Sequence, residues 1–118
     1  MKKLIIQIPC FNEEQHLAEA VACLPKNVEG FDIVEYLIIN DGSSDNTSTV
    51  AKQSGVHHII THKKNLGLAR AFETGLDAAL KRGADVIVHT DADNQYCAED
   101  IPALTKPILD GKADLVIG

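Results

Sequence analysis

The sequence of 118 residues contains no tryptophan, and only 4% of its residues are aromatic, so an aliphatic core is expected. Basic side chains are also few, 11 against 17 acidic ones, and the formal net charge is -6. Nucleic-acid binding depends on clustered lysine and arginine, so this balance argues against a nucleic-acid partner. A single nucleotide remains compatible with it, because a metal ion and a few local donors suffice for its phosphates.

Cysteines are few as well, and they form no recognisable framework. Cys10, Cys23 and Cys97 include no CxxC pair, and an odd count fits no complete set of disulfides. Reduced thiols in a cytoplasmic protein are therefore expected. No apolar run approaches the ~20 residues of a membrane helix, and residues 4–8 are too short for the apolar part of a secretory signal. A longer parent protein on the cytoplasmic face of the membrane remains compatible with these absences.

Three well-known motifs are missing. No G-x-G-x-x-G follows the first apolar run, which argues against a dinucleotide site, and no G-x-x-x-x-G-K-[ST] marks a P-loop. No serine or cysteine stands in a G-x-S-x-G turn of the kind that carries a hydrolase nucleophile.

What the chain does contain is an alternation of short apolar runs and amphipathic segments. This pattern is typical of βαβ units, with a parallel sheet covered by helices on both faces. We predict one α/β domain, a three-layer α/β/α sandwich with a mostly parallel sheet. Strands are predicted at residues 4–8, 34–39, 57–61, 86–90 and 114–117, and helices at 13–24, 45–53, 66–82 and 99–110. The third helix shows an apolar stripe made by Leu68, Phe72, Leu76, Ala79 and Leu80.

Polar side chains follow four of the predicted strands. Because the carboxyl ends of parallel strands share one edge of the sheet, and ligands bind there, one site at that edge is expected. The groups in question are Asn12-Glu13, Asn40-Asp41, His62-Lys63-Lys64-Asn65 and Asp91-Ala92-Asp93.

The most informative of these groups is Asp91-Ala92-Asp93, which directly follows the apolar run at residues 86–90. Two carboxylates one residue apart at the open edge of a sheet gather charge that is costly unless a cation neutralises it. A hard divalent ion, shared with substrate phosphates, is the usual solution. The pattern therefore predicts a metal-assisted nucleotide site.

Several of the polar residues also have ordinary structural explanations. Asp45 is expected to be a helix N-cap, and Glu14 favours the first turn of a helix through its dipole. Asp41-Gly42 is compatible with a simple turn. A turn accounts for Gly42 better than for a carboxylate directly on the strand end, so we favour a functional role for Asp41.

The histidines are not expected to form a metal site. His57 and His58 are adjacent on a predicted strand, so their side chains point to opposite faces and do not share an ion. Lys63 and Lys64 are interpreted as solvated loop charges that are also within reach of a phosphate.

Four ordered motifs resemble those of the family 2 glycosyltransferases with the GT-A fold, which are inverting enzymes that use nucleotide sugars. Residues 8–14 match P-x-[YF]-N-E-E, and residues 40–47 match D-D-G-S-S-D-x-T with Asn40 in place of the first Asp. Residues 65–71 match N-x-G-x-x-x-A, and residues 91–96 match the DxD region. The pattern D-x-D-x-Q, with Gln95, is similar to that of the polyprenyl- and dolichyl-phosphate sugar transferases.

The resemblance implies roles for individual residues. Asp91 and Asp93, with Gln95, would hold Mg²⁺ or Mn²⁺, which as a Lewis acid would stabilise the leaving nucleoside diphosphate. Asn40 is assigned no catalytic role. The nucleotide of a UDP- or GDP-linked sugar would contact Pro9, Phe11, Asn12, Glu13, Ile39, Asp41, Asp91, Ala92 and Asp93.

The resemblance also implies a Rossmann-like, GT-A nucleotide-binding half with strand order 3-2-1-4. The fifth strand is expected to pair through a later strand that this sequence lacks, and so to lie on an exposed edge. Such an edge favours a homodimer, which a sharp monomer mass in light scattering would contradict. Residues 1–118 are accordingly interpreted as the truncated N-terminal part of the domain. We expect them to bind the donor without transferring its sugar to an acceptor such as a polyprenyl phosphate or a glycan.

Two other classes of protein remain open from the residues alone. Asp91 as a nucleophile and Asp93 as acid and base would indicate a phosphatase or phosphotransferase with an aspartyl-phosphate intermediate. A non-catalytic nucleotide-binding or assembly module would show the same fold without turnover.

Overall fold

The structure, a computed structural model, describes residues 2–22, 24, 27–28 and 30–89, and the backbone of a final strand at 115–117. Its strands are β1 (Lys3–Cys10), β2 (Ile33–Asn40), β3 (His58–Thr61), β4 (Val86–His89) and β5 (Leu115–Ile117). Its helices are α1 (Leu17–Ala22), α2 (Thr47–Gln53) and α3 (Leu68–Lys81). The helix predicted at residues 99–110 lies outside the described residues.

The strands form one parallel sheet in the order β3-β2-β1-β4-β5. The predicted order of the first four strands, 3-2-1-4, is confirmed. The expectation that the fifth strand pairs only through a later strand is wrong, because Leu115 lies opposite Ile87 in a direct β4–β5 ladder. Strands that follow each other in sequence usually pair, and β5 follows that rule. It ends the described sheet, and a homodimer through it stays a prediction.

The three-layer arrangement is confirmed by two separate clusters of buried side chains. Leu4, Ile6 and Ile8 of β1 pack with α1 and α2 on one face of the sheet. Ile5 packs with α3 on the other face. Successive side chains of a strand point to opposite faces, so a central strand covered on both sides must be apolar throughout.

The apolar stripe predicted on α3 is partly wrong. Leu68 and Leu80 are 63% and 64% exposed, while Phe72 and Leu76 are only partly buried. The buried face is instead made of small residues, which let the helix backbone approach the sheet closely: Ala71, Gly75, Ala78 and Ala79. Of this face the predicted stripe contained only Ala79, since alanine and glycine contribute little to an apolar pattern.

All three described helices begin later than predicted, at Leu17, Thr47 and Leu68. Residues 14–16 form a turn, in which the Glu13 carbonyl accepts the Leu17 N–H at 2.9 Å, so α1 starts at Leu17. The N-cap of α2 is Asn46, whose side chain makes no capping bond. Asp45, which was predicted as the cap, precedes Asn46 by one residue, and its side chain accepts the Thr47 N–H at 3.0 Å. It therefore satisfies a free donor of the first turn without occupying the cap position.

No helix in the described ranges is long and apolar enough to cross a membrane.

Candidate functional site

The loops that follow β1 and β2 are joined at the carboxyl edge of the sheet. The Asn12 N–H donates to Ser43 Oγ at 2.9 Å, and Asn12 Oδ1 accepts the Ser44 N–H at 2.8 Å. One residue on, the Glu13 N–H donates to Thr47 Oγ1 at 3.0 Å. The first two sequence motifs are thus one structural unit, in which serine and threonine side chains hold the backbone of the Asn-Glu segment.

Asn12 adopts a left-handed backbone conformation with φ 54°. Asparagine tolerates this region better than most residues, because its short side chain bonds locally. Its neighbour Phe11 is 47% exposed, which is unusual for a large aromatic side chain. An exposed ring beside a rigid polar turn offers an apolar surface for a flat ligand.

The Asp41 carboxylate lies at the end of β2 and is almost fully occupied by the protein itself. Oδ1 lies 2.7 Å from His62 Nδ1 and accepts the Leu66 N–H at 2.9 Å. Oδ2 accepts the Gly67 N–H at 3.0 Å and the Asn65 side-chain amide at 3.3 Å. Four donors match the four acceptor positions of a carboxylate. Asp41 therefore anchors the segment that leads into α3.

The surroundings of Asp41 stabilise the ionised form of its carboxyl group. Burial alone raises the pKa of Asp41, but the hydrogen bonds from His62 and from the Leu66 and Gly67 N–H groups together lower it by more. The net pKa is below the ordinary value. Asp41 is therefore an anion at neutral pH, with only 4% of the residue exposed.

His62 connects Asp41 to α3. Its Nε2 lies 2.9 Å from Thr74 Oγ1, while its Nδ1 faces the carboxylate. A carboxylate only accepts, so Nδ1 carries a proton, and in the neutral ring Nε2 accepts from the threonine hydroxyl. The sequence placed His62 at this edge and gave no reason to expect a histidine metal site, but it did not predict this bridge between Asp41 and Thr74. Among the residues that the structure describes, no three His, Cys, Asp or Glu side chains are grouped to hold a metal ion.

Gly42, next to Asp41, sits against the backbone of the same segment. Its φ is +72°, and a Cβ atom at this position would lie 2.3 Å from both Asn65 N and Lys64 C. These are backbone atoms, which cannot turn aside. Asn40 completes the turn, since its Oδ1 accepts the Ser43 N–H at 3.1 Å. This hydrogen bond gives Asn40 a structural part in the turn.

Replacing Gly42 by alanine is expected to destabilise the chain by about 3 kcal/mol, because a left-handed alanine and an overpacked contact each cost energy. The matched control is Gly55→Ala, where φ is +81° but nothing lies within 4 Å of the added Cβ. The control isolates the backbone strain, on the order of 1 kcal/mol. Urea unfolding of both variants measures the difference, and equal losses would show that the contact with residues 64–65 does not exist.

Pro9 and Ile39 lie opposite each other in the β1–β2 ladder, and both are buried. The carbonyl oxygen of Cys10 points toward β2 and accepts the Asp41 N–H. Backbone groups of successive residues in a strand point to opposite sides, so those of Pro9 point toward β4. Pairing with β4 ends at Gln7, so the missing proline N–H breaks no ladder bond in the described sheet. Ile39 is 0% exposed and packs with α3. A nucleotide contact from Pro9 or Ile39 stays a prediction.

Cys10 does not supply a reactive thiol. Its side chain is buried, and desolvation, followed by the nearby charges of Glu13 and Asp45, raises its pKa to about 12. A thiol with this pKa is almost entirely protonated at neutral pH and is a poor nucleophile.

The predicted metal ligands Asp91, Asp93 and Gln95, with Ala92, lie outside the described residues. In the sequence, Asp91 follows His89, the last residue of β4, by two positions. The ion site therefore stays a prediction.

A cavity of about 750 Å³ lies between α1 and α2, away from this edge. It is lined by residues such as Val21, Tyr36, Gly55 and His57, and by none of the predicted site residues that the structure describes. Gly55 and His57 precede β3, so the cavity opens toward the amino ends of the strands. We place the candidate site at the carboxyl edge, where the cross-linked motifs are.

Comparison with known proteins bears on these motifs. Residues 5–118 match the family described as Glycosyl transferase family 2. The chain belongs to this family. It is 30% identical over 99% of its length to a UDP-N-acetylglucosamine–dolichyl-phosphate N-acetylglucosaminyltransferase of Methanococcus voltae, of which it covers 51%. It is likewise 30% identical, over 99% of its length, to a polyprenol monophosphomannose synthase of Mycolicibacterium smegmatis, of which it covers 44%.

This family 2 chain spans about half the length of the curated relatives it matches. Its fold is similar to that of part of glucosyl-3-phosphoglycerate synthase from Mycobacterium tuberculosis, with a TM-score of 0.75 and 23% identity over 92% of this chain and 40% of that one. That enzyme was solved with Mn²⁺, UDP and glucosyl-3-phosphoglycerate. The GT-A fold and the glycosyltransferase family inferred from the motifs are confirmed. The family match favours a glycosyltransferase over a phosphatase or phosphotransferase.

Proposed function

We propose that these residues form the donor-binding part of a glycosyltransferase that takes a sugar from a UDP- or GDP-linked donor. The observation that carries the proposal is the joining of three motif-bearing loops at one sheet edge by the hydrogen bonds of Asn12, Ser43 and Asp41. The fourth motif follows β4, which is the neighbour of β1 in the same sheet. Parallel strands bind ligands at this edge.

Within that edge, the nucleotide has distinct surfaces to contact. The exposed ring of Phe11 suits the flat face of a base or ribose, beside the polar Asn12 and Glu13. Lys63 and Lys64 are exposed in the loop after β3 and are the cations available there for phosphate charge. Asp41, whose acceptor positions are filled, supports the pocket by holding residues 65–67 in place.

Asp91, Asp93 and Gln95 supply carboxylate and amide oxygens, which are the hard ligands that Mg²⁺ and Mn²⁺ prefer. An ion bound there would act as a Lewis acid toward the leaving diphosphate. The presence of Mn²⁺ with UDP in the structurally similar synthase supports this assignment. The residues themselves would bind the ion and orient the diphosphate against the carboxyl edge.

The acceptor proposed for the whole protein is a lipid phosphate, with inversion at the sugar carbon. The names of the relatives, a dolichyl-phosphate transferase and a polyprenol monophosphomannose synthase, support it. A phosphate acceptor is already anionic, so its attack requires no base to remove a proton. Because the chain spans about half of its relatives, transfer is proposed for the whole protein and donor binding for these residues.

A thermal-shift panel of UDP, GDP, CDP and dTDP sugars, each with Mg²⁺ or Mn²⁺, tests the proposal. A ligand that binds only the folded state raises the melting temperature. At a ligand concentration 100 times Kd, the folded state is stabilised by about 2.7 kcal/mol. We expect a shift with UDP or GDP sugars that grows when the ion is added. Absence of any shift, with and without Mn²⁺, would indicate a module that does not bind nucleotides.

A further inference from the structure

Gln7 is a polar residue in the middle of the central strand. It is 0% exposed and lies opposite His89 in the β1–β4 ladder. Ile5 lies two residues before Gln7 on β1, and Ile87 lies two residues before His89 on β4. Both isoleucines are apolar and pack against α3. Side chains two apart on a strand share a face, so Gln7 and His89 interrupt an otherwise aliphatic surface.

The two side chains are bonded to each other. Gln7 Nε2 lies 2.9 Å from His89 Nδ1 and 3.5 Å from the Phe72 carbonyl oxygen. An amide nitrogen only donates, so Nδ1 accepts and the neutral ring carries its proton on Nε2. The Phe72 ring meets the imidazole edge to face, with centroids 4.7 Å apart. The orientation and the tautomer of His89 are thus both set by its neighbours.

This arrangement is not what stability alone would favour. Gln7 Oε1 is buried and has no hydrogen-bond partner among the described residues. A glycine within α3 makes room for the amide, since a Cβ at Gly75 would lie 2.7 Å from that oxygen. Glycine weakens a helix interior and an unpaired buried oxygen costs free energy, whereas an apolar pair of the same shape incurs neither cost.

We propose that Gln7 is a positioning residue for the metal-binding carboxylates. His89 is the last residue of β4, and Asp91 follows two positions later in the sequence, so the hydrogen bond from Gln7 fixes the end of the strand from which the proposed metal ligands continue. Groups that hydrogen-bond directly to metal ligands typically change metal affinity by about 10–100-fold when removed, and Gln7, which acts through His89, is expected at the lower end of that range. This inference rests on the proposed function.

The test is Gln7→Met, which keeps the length of the side chain and removes the hydrogen bond. The matched control is Ile5→Met, two residues earlier on the same buried face. For each variant we measure the urea midpoint, nucleoside diphosphate affinity without metal, and the Mn²⁺ affinity of the nucleotide complex. In Gln7→Met the loss of the hydrogen bond to His89 is offset by removal of the unpaired buried Oε1, so we expect little change in the urea midpoint. We expect the metal-free affinity to be kept and the Mn²⁺ affinity to fall by ~10-fold.

The outcomes separate the two proposals. If the unaltered chain binds nucleotide without any Mn²⁺ dependence, the metal site fails and this inference fails with it. If the unaltered chain shows that dependence and Gln7→Met matches Ile5→Met in Mn²⁺ affinity, only this inference is overturned. If Gln7→Met does not fold, Gly75→Ala displaces the amide from the helix side, and an unchanged Mn²⁺ affinity there would equally overturn it.

Discussion

Asp41→Ala is expected to reduce the free energy of unfolding by about 3–5 kcal/mol, the range found when one partner of a buried charged network is removed. The change leaves the N–H groups of Leu66 and Gly67 and the ring of His62 without their acceptor in a site that is almost closed to water. Each unsatisfied buried donor costs about 1–3 kcal/mol, although the costs do not add fully. Urea unfolding measures the loss.

The matched control is Asp77→Ala. Asp77 is 67% exposed at its side chain and pairs with Lys81, one helical turn away. Exposed pairs of this kind contribute about 0.3–0.5 kcal/mol. If the two variants lose similar stability, Asp41 does not anchor the segment before α3.

The effect of Asp41 depends on pH in a defined direction. Its pKa is lowered in the folded state, so it contributes its full stabilisation above the unfolded-state pKa of about 3.9. That contribution is lost as the pH falls through the lower folded-state pKa. The difference in stability between the unaltered chain and Asp41→Ala should therefore shrink below about pH 4.

Asp93→Asn is expected to remove the metal-dependent part of nucleotide binding. A ligand that touches the ion matters more than the groups behind it, so the loss should exceed the ~100-fold upper range for such outer groups. Binding without metal should stay unchanged. The control is Asp77→Asn, which makes the same change of charge at an exposed position of α3. Calorimetric titration with Mn²⁺ measures both, and an unchanged metal dependence would mean that the ion is held elsewhere.

Much of the fold follows from local pattern. Alternating apolar runs and helices imply a parallel sheet, and right-handed crossovers leave few strand orders. In α3 the apolar spacing did not predict the buried face correctly, because that face is set by how closely the helix approaches β1 and β2. Ala71, Gly75 and Ala78 permit that approach, while the more conspicuous Leu68 and Leu80 remain exposed. Spacing alone does not distinguish these two faces.

The candidate site was predictable as a region but not as a set of bonds. Strand ends placed Asn12, Asp41 and His62 at one edge, and the structure agrees. The partners of Asp41 are more than 20 residues away in sequence, and no local rule pairs them. From the sequence, Asp41 was interpreted either as part of a turn or as a ligand contact. The structure adds a third role, in which Asp41 anchors the segment that leads into α3. Gln7 escaped notice because one polar residue in an apolar run carries no pattern.

The central claim is that an ion beside Asp91 and Asp93 anchors a nucleoside diphosphate at the carboxyl edge of the sheet. The most direct test is anomalous scattering from crystals of the chain grown with Mn²⁺ and either UDP or GDP. The account predicts one strong manganese peak within coordination distance of both carboxylates, with the diphosphate on the same ion. Nucleotide in the cavity between α1 and α2, or manganese away from both carboxylates, would contradict it.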